Sequence, residues 1–260
     1  SLPLSIEEVE LDPPQSGEVL VQIKAAGLCH SDLVAIDGER AKPMPMVIGH
    51  EAAGIVCKLG PEVERLAVGD HVVTSYVASC GRCDMCQEGR PALCHPATEA
   101  NKAGTLIDGT TRLHNNGQRI YHHSGVAAFS EYAVISQNAL VKIDPKIPFE
   151  VAALFGCAVV TGVGSVVNTA KVSPGQSVAI VGLGGVGLNA LLASIASGAG
   201  KVIAVDVKEK KLKIASQLGA HDTFNSTLEN CVEQILDLTD GGVHFAFETA
   251  GVSPALDLAY

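Results

Sequence analysis

From Gly17 to Lys24 the chain runs Gly-Glu-Val-Leu-Val-Gln-Ile-Lys, an alternation that predicts a half-buried strand. Ala53–Val56 and Asp70–Val73 repeat the theme, with Gly and Pro turns between. Many short strands joined in this way predict a β-rich, barrel-like unit over residues 1–158. The period changes at Ser177. Val178–Val181 is a wholly apolar strand, followed by a Gly-rich turn and a helical run from Val186 to Ser197. Lys201–Val205, Thr223-Phe224 and His244–Glu248 read as further strands, and Glu209–Leu218 as a helix. Strands alternating with helices predict βαβ units and a parallel sheet over 159–260. Glu99–Phe129 reads as a long loop with a turn at Asn115-Asn116-Gly117.

Composition narrows the function classes. The chain has 260 residues, 47% hydrophobic, enough for a sizeable core. Its net charge of −10 gives no basic face for a phosphate backbone, so nucleic acid is not an expected partner. No apolar run reaches the ~18–20 residues of a membrane span, and no secretory signal opens the chain. A cytoplasmic location is expected. Eight cysteines are many for such a chain. A disulfide framework serves small secreted domains with little core, so clustered thiols read first as metal ligands.

Cys80, Cys83, Cys86 and Cys94 form C-x₂-C-x₂-C-x₇-C. Four thiolates can close a tetrahedron around Zn²⁺ and leave no open position, a structural site; two disulfides or an iron–sulfur cluster are the alternatives. A second group joins Gly27-Leu28-Cys29-His30-Ser31-Asp32 to Gly49-His50-Glu51-Ala52-Ala53-Gly54, and Cys157 can add a thiolate. Two thiolates and a neutral imidazole balance Zn²⁺ and leave a fourth position for water or an alcohol. The third group is Gly182-x-Gly184-Gly185-Val186-Gly187, between a strand and a helix, as a dinucleotide-binding turn requires. Asp206 ends the next strand, where a carboxylate bonds ribose hydroxyls and repels a 2′-phosphate, favouring NAD over NADP.

In order and spacing these motifs resemble the zinc-dependent alcohol dehydrogenases of the medium-chain dehydrogenase/reductase family. The resemblance implies an α/β protein with a β-rich part: a GroES-like catalytic domain (1–158), then a Rossmann NAD-binding domain (159–260). It implies two zinc ions per subunit, NAD, a small alcohol or aldehyde substrate, and a homodimer or homotetramer. Cys29, His50 and Cys157 match the catalytic zinc ligands. Glu51 and Asp32 match the carboxylates behind them, with Asp32 orienting the His50 ring. Ser31 matches the hydroxyl that takes the alcohol proton, and His30 a residue on the cofactor pyrophosphate. Thr161 and Val186 match positions beside the nicotinamide, Lys211 one near the adenosine ribose, and Tyr76 a substrate-pocket aromatic.

Two departures stand out. Val34 occupies the place where some relatives end the proton relay in histidine. Relatives also continue past the position of Tyr260, so a partial sequence with a truncated Rossmann sheet is expected. The remaining residues read blandly: Cys57 and Cys231 as core thiols, His114, His122 and His123 as solvated loop histidines. Glu39 and Arg40 fall at a pocket mouth or simply face water.

The leading function is NAD-dependent oxidation of primary or aromatic alcohols. A glutathione-dependent formaldehyde dehydrogenase is the rival, although His95-Pro96-Ala97-Thr98 lacks the Arg that would read its anionic substrate. Polyol dehydrogenases often lack the four-cysteine lobe. A non-catalytic homologue has no need of an open zinc position, and a disulfide-bonded extracellular module is the remote option.

Overall fold

The computed structural model describes residues 4–260. Two compact units divide the chain, Ser1–Cys157 and Ala158–Tyr260.

Among the described residues the first unit holds nine strands: β1 (Glu10–Leu11), β2 (Glu18–Gly27), β3 (Met46–Val47), β4 (Glu51–Leu59), β5 (His71–Thr74), β6 (Leu113–Asn115), β7 (Gln118–His122), β8 (Tyr132–Ser136) and β9 (Leu140–Lys142). Five form an antiparallel sheet in the order β8-β2-β4-β5-β9, and four form a smaller one, β1-β6-β7-β3. Val19, Val21, Ala52, Val56, Val72 and Ile135 point inward from the larger sheet and build its core. Alternation settles Cys57. Val56 faces this core, so the next residue faces water, and Cys57 is exposed rather than the core thiol expected.

The predicted loop from Glu99 to Phe129 is structured instead. A helix covers His95–Ala103, and β6 and β7 form a hairpin. Asn116 and Gly117 both have positive φ, +50° and +77°. Two such central residues match the strand twist in a tight hairpin, which explains the turn signal.

That hairpin carries a buried ion pair. Arg112 donates from Nε and Nη2 to both carboxylate oxygens of Glu18, at 2.8 and 2.7 Å. Nη2 also donates to Asp108 at 2.9 Å. His122 accepts from the Arg112 amide at 3.1 Å and is wholly buried. Burial, then the Arg112 charge, pushes its pKa down to about 4, so the ring is neutral.

In the second unit β10 (Ser177–Val181), β11 (Lys201–Asp206), β12 (Asp222–Asn225) and β13 (Phe245–Glu248) form one parallel sheet in the order β12-β11-β10-β13. The unbroken apolar run of β10 has a simple cause. Val178 and Ile180 face a core shared with Leu191 and Leu212, while Ala179 and Val181 face one shared with Cys231 and Ile235. Helices cover both faces, so neither alternate position meets water. No single helix among the described residues is long and apolar enough to cross a membrane.

Arg112→Met tests the buried pair. It strands the Glu18 carboxylate, and urea denaturation should read a loss of about 3–5 kcal/mol, much of it recovered in Arg112→Met/Glu18→Met. A single-variant loss under about 1 kcal/mol would show the pair to be dispensable.

Candidate metal centres and dinucleotide turn

One register assembles the first centre. In the β2–β4 ladder Gly27 lies opposite Glu51, so Cys29, just past the end of β2, comes beside His50, just before β4. A Cβ at Gly27 would lie 2.5 Å from Glu51 Oε2, so a larger residue there would displace that carboxylate. Cys157 arrives from the far end of the unit. A Cβ at Gly156 would lie 2.5 Å from the Thr74 carbonyl, so its glycine lets the chain press against β5. Thr74 Oγ1 in turn donates to the His50 carbonyl at 3.0 Å and accepts from the Ala52 amide at 2.9 Å.

The result is a converging donor set. One ligand atom each of Cys29, His50, Glu51 and Cys157 lies within 4.8 Å of the others. The two sulfurs are 3.9 Å apart. Two thiolates 2.3 Å from one tetrahedral zinc stand about 3.8 Å apart, whereas a disulfide closes to about 2.05 Å. The expected carboxylates divide. Asp32 sits behind the ring, its Oδ1 3.1 Å from His50 Nδ1, leaving Nε2 for the metal. Glu51 reaches in among the ligand atoms themselves. Ser31 Oγ lies 3.6 Å from Cys29 Sγ and is exposed, as is His30.

Charge is shared across this group. Cys157 and His50 push Cys29 down to about 3, making it the thiolate of the pair, while Cys157 is held far above the usual thiol range by its bond to Cys29 and by burial. Burial opposes protonation of His50, yet Asp32 and Cys29 raise its pKa to about 9. Burial likewise opposes ionisation of Asp32, but the neighbouring His123 and His50 rings and the hydrogen bond from the Cys29 amide hold it well below the carboxylate range. Glu51 is raised, first by burial and then by the Cys29 charge.

The second centre lies in the lobe. Cys80, Cys83, Cys86 and Cys94 bring their sulfurs within 4.8 Å of one another, and all eight cysteines are free thiols. The Cys83 amide donates to Cys80 Sγ and the Cys80 amide to Cys94 Sγ, both at 3.3 Å. Gly81 takes the positive φ (+72°) that folds the C-x-x-C turn. The Arg82 amide, foremost among its partners, pushes Cys80 down to about 6, while burial and Cys83 push Cys86 up to about 11. The fit is to a closed four-thiolate site.

In the second unit the Gly-rich turn follows β10 and opens the helix Gly185–Ala196. Gly182 has φ +92°, and a Cβ on Gly187 would lie 1.9 Å from the Gly182 carbonyl, so turn and helix need both. A Cβ on Gly184 meets nothing within 4 Å: the space above the helix N-terminus is open, as a pyrophosphate requires. Asp206 ends β11 and accepts from the Leu183 amide (2.7 Å) and the Lys208 amide (2.9 Å), with Lys211 Nζ at 3.3 Å. Burial disfavours its charge, but those donors keep it ionised. A Cβ at Gly162 would lie 2.4 Å from the Val186 carbonyl, so Thr161 and Val186 sit on closely packed helices.

Tyr76 packs edge-on to the His50 ring, centroids 5.9 Å apart. It also lines a cavity of about 120 Å³ with Ala97, Thr98, Asn101, Ser124 and Gly125. His122 and His123 are corrections to the sequence reading. Both are buried, and His123 lies against Asp32. His114, only partly exposed, pairs with Glu10 and Asp12. Glu39 and Arg40 face solvent. Thr74 was absent from the candidate residues, and nothing local in the sequence distinguishes it.

A closed four-thiolate lobe, an open Cys₂His centre and a dinucleotide turn define a zinc-dependent dehydrogenase. Residues 15–145 match the family described as alcohol dehydrogenase GroES-like domain, and residues 185–260 match zinc-binding dehydrogenase. A protein named S-(hydroxymethyl)glutathione dehydrogenase from Synechocystis is 42% identical over 96% of this chain and 68% of its own length. One of the same name from Escherichia coli is 40% identical over the same shares. An alcohol dehydrogenase zinc-binding domain protein from Burkholderia ambifaria superposes with TM-score 0.94 at 38% identity, over 99% of this chain and 70% of that one. Benzyl alcohol dehydrogenase from Acinetobacter calcoaceticus superposes at 0.90 and 39%, over 96% and 68%. The chain belongs to the zinc-dependent alcohol dehydrogenases of the medium-chain dehydrogenase/reductase family and is an oxidoreductase.

The charge state makes a prediction. With the lobe already loaded, zinc entering the Cys29/His50/Cys157 centre displaces the His50 proton and the proton held by Cys157. Near pH 7 about two protons should leave per metal, and apparent affinity should rise with pH, less steeply above about 9, where His50 loses its proton unaided and only the Cys157 proton remains to be displaced. Calorimetry in two buffers of different ionisation heat counts them; release of none would contradict the assignment.

Proposed function

We propose that this chain carries the machinery for reversible, NAD-dependent oxidation of primary and aromatic alcohols to aldehydes. Residues 1–158 form the catalytic domain and 159–260 the NAD-binding domain. Cys29, His50 and Cys157 hold the catalytic zinc, and Cys80, Cys83, Cys86 and Cys94 the structural one. Gly182, Gly184, Gly185, Val186 and Gly187 cradle the NAD pyrophosphate, with Asp206 and Lys211 at the adenosine ribose and Thr161, Val186 and His30 as further cofactor contacts. Zinc when bound supplies Lewis acidity that lowers the pKa of an alcohol, and NAD accepts its hydride. Ser31 receives the alcohol proton. Asp32 fixes the His50 ring, and the cavity that Tyr76 helps to line is the place proposed for the organic group.

The observation that carries the substrate class is that cavity. It adjoins the centre through Tyr76, and no Lys, Arg, Asp or Glu lines it among the described residues. Its volume approaches the roughly 150 Å³ void that takes a benzene ring. The names of the 40–42% identical relatives favour a second reading, S-(hydroxymethyl)glutathione oxidation. Glutathione is anionic and needs cations, which this lining lacks. Thiols gathered as ligands rather than disulfides support a cytoplasmic setting. A homodimer or homotetramer belongs to the same proposal and rests on family likeness.

NADH formation by zinc-loaded enzyme tests the reading. Benzyl alcohol should exceed S-(hydroxymethyl)glutathione in kcat/KM by about tenfold or more, a barrier gap of ~1.4 kcal/mol. The reverse order would transfer the assignment to the second reading.

Asp206 gives a separate outcome. Asp206→Asn removes the charge that repels a 2′-phosphate, and leaves one amide oxygen where two carboxylate oxygens accepted from the Leu183 and Lys208 amides. The ratio of kcat/KM for NAD over NADP should fall about tenfold, ~1.4 kcal/mol. An unchanged ratio would place cofactor discrimination elsewhere.

A further inference from the structure

His123 has no place in the mechanism above, yet it is deeply buried. Its Nδ1 lies 3.1 Å from Asp32 Oδ1, the same oxygen that faces His50 Nδ1 at 3.1 Å. The two rings stand nearly perpendicular, at 88°, with centroids 5.2 Å apart. The approach of His123 is off line, and its Nδ1 has no well-aligned partner among the described residues. Asp32 Oδ1 is the neighbour it faces. Asp32 itself is fully buried, and its other oxygen accepts from the Cys29 amide at 2.9 Å.

The backbone explains how a residue 73 positions beyond His50 comes to stand there. The Ala128 amide donates to the Gly49 carbonyl at 3.0 Å, and the Phe129 amide to the Ile48 carbonyl at 2.9 Å. Gly49, at φ +90°, leaves room for Phe129, whose ring carbon would lie 2.5 Å from a Cβ. The segment after β7 is thus tied to the residues leading into His50, and His123 opens that segment.

We infer that His123 is a positioning residue for the Cys29/His50/Cys157 metal centre, acting through Asp32. A carboxylate held by one imidazole can still pivot about its own side-chain torsion. Three neighbours from three segments — the Cys29 amide, His50 and His123 — leave it a single orientation, and it sets the direction of His50 Nε2. Packing alone does not account for an imidazole here. Burying one without a partner is unfavourable where an apolar ring would fill the space. Nor does the trio serve as a cation site of its own. Its three atoms lie within 4.8 Å of one another, but on the reading above His50 turns Nδ1 to Asp32 and keeps Nε2 for the Cys29/Cys157 centre, so it is not free to serve a second ion.

The inference rests on the reading that Cys29, His50 and Cys157 hold metal, and the test separates the two. Full-length enzyme would be prepared with cobalt(II) at this centre and zinc in the lobe. Wild type, His123→Phe, His123→Asn and His123→Gln would be compared by visible d–d spectrum and by chelator competition. His123→Phe keeps the ring and removes the donor. It should weaken cobalt binding by about 10- to 100-fold, the usual penalty for losing a group behind a ligand, and shift the d–d bands. His123→Asn returns an N–H near the position of Nδ1 and should restore both readouts. His123→Gln places its amide farther out and should not. The polar pair carries the comparison if His123→Phe fails to fold. An unchanged spectrum and affinity in His123→Phe, or equal defects in His123→Asn and His123→Gln, would overturn the inference while leaving the metal centre intact. A wild-type protein that forms no cobalt–thiolate centre would overturn the metal reading and this inference with it.

Discussion

The antiparallel pairing of β2 with β4 is the constraint on which the first unit depends. Its register sets Gly27 opposite Glu51. A slip by one residue would turn Val19, Val21 and Val56 out of the core and separate Cys29 from His50 in the same movement. Core burial and ligand geometry are therefore specified by one interaction. Each inward valine favours the register in which the donors converge, so a chain that packs well has already assembled half of its site. Gly27 and Gly54 belong to this logic. A Cβ at Gly54 would lie 2.2 Å from the Gln22 carbonyl, so the two strands approach there only because the position is bare, while one at Gly27 would push the Glu51 carboxylate aside.

The third ligand arrives under a different constraint. Cys157 closes the first unit, 128 residues from Cys29, and no strand register carries it in. Gly156 and Thr74 do so, one by close approach and the other by hydrogen bonds to the segment that bears His50. The hydroxyl of Thr74 donates to one backbone carbonyl and accepts from one amide on either side of Glu51. The acidity of the site also becomes intelligible. Two cysteines, Glu51 and Asp32 would repel one another if all were ionised. The metal-free protein relieves that by keeping a proton on His50 and one on Cys157, and a divalent cation takes over the same task.

Local chemistry was legible from sequence where spacing alone defines it. The C-x₂-C-x₂-C-x₇-C lobe, the Gly-rich turn and the fully apolar β10 are short-range patterns, and each maps onto one element of the fold. Cys57 and His123 show where that reading stops. An apolar neighbourhood placed Cys57 in the core, but strand alternation decides by parity, and its parity is outward. His123 read as a loop residue because it falls within Glu99–Phe129, which read as one long loop. Its burial depends on amide bonds to residues 48 and 49, a contact that no local window contains. Arg112 and Glu18 were equally silent, since 94 residues separate them.

Asp206 illustrates how a residue singled out by position can do more than its motif implies. The sequence argument gives it a ligand's ribose. The structure adds two backbone amides, one of them from Leu183 inside the Gly-rich turn itself. A carboxylate offers about four acceptor sites. Two are spent on the protein before any dinucleotide arrives, and Lys211 stands at a third. On the proposed reading the same side chain shapes the Gly-rich turn and would face the sugar end of the cofactor. Specificity at the ribose and geometry at the pyrophosphate are mechanically linked through β11. Because each oxygen accepts from a different backbone amide, a neutral amide here keeps one acceptor and turns a donor toward the other N–H, so even a change of charge alone perturbs both.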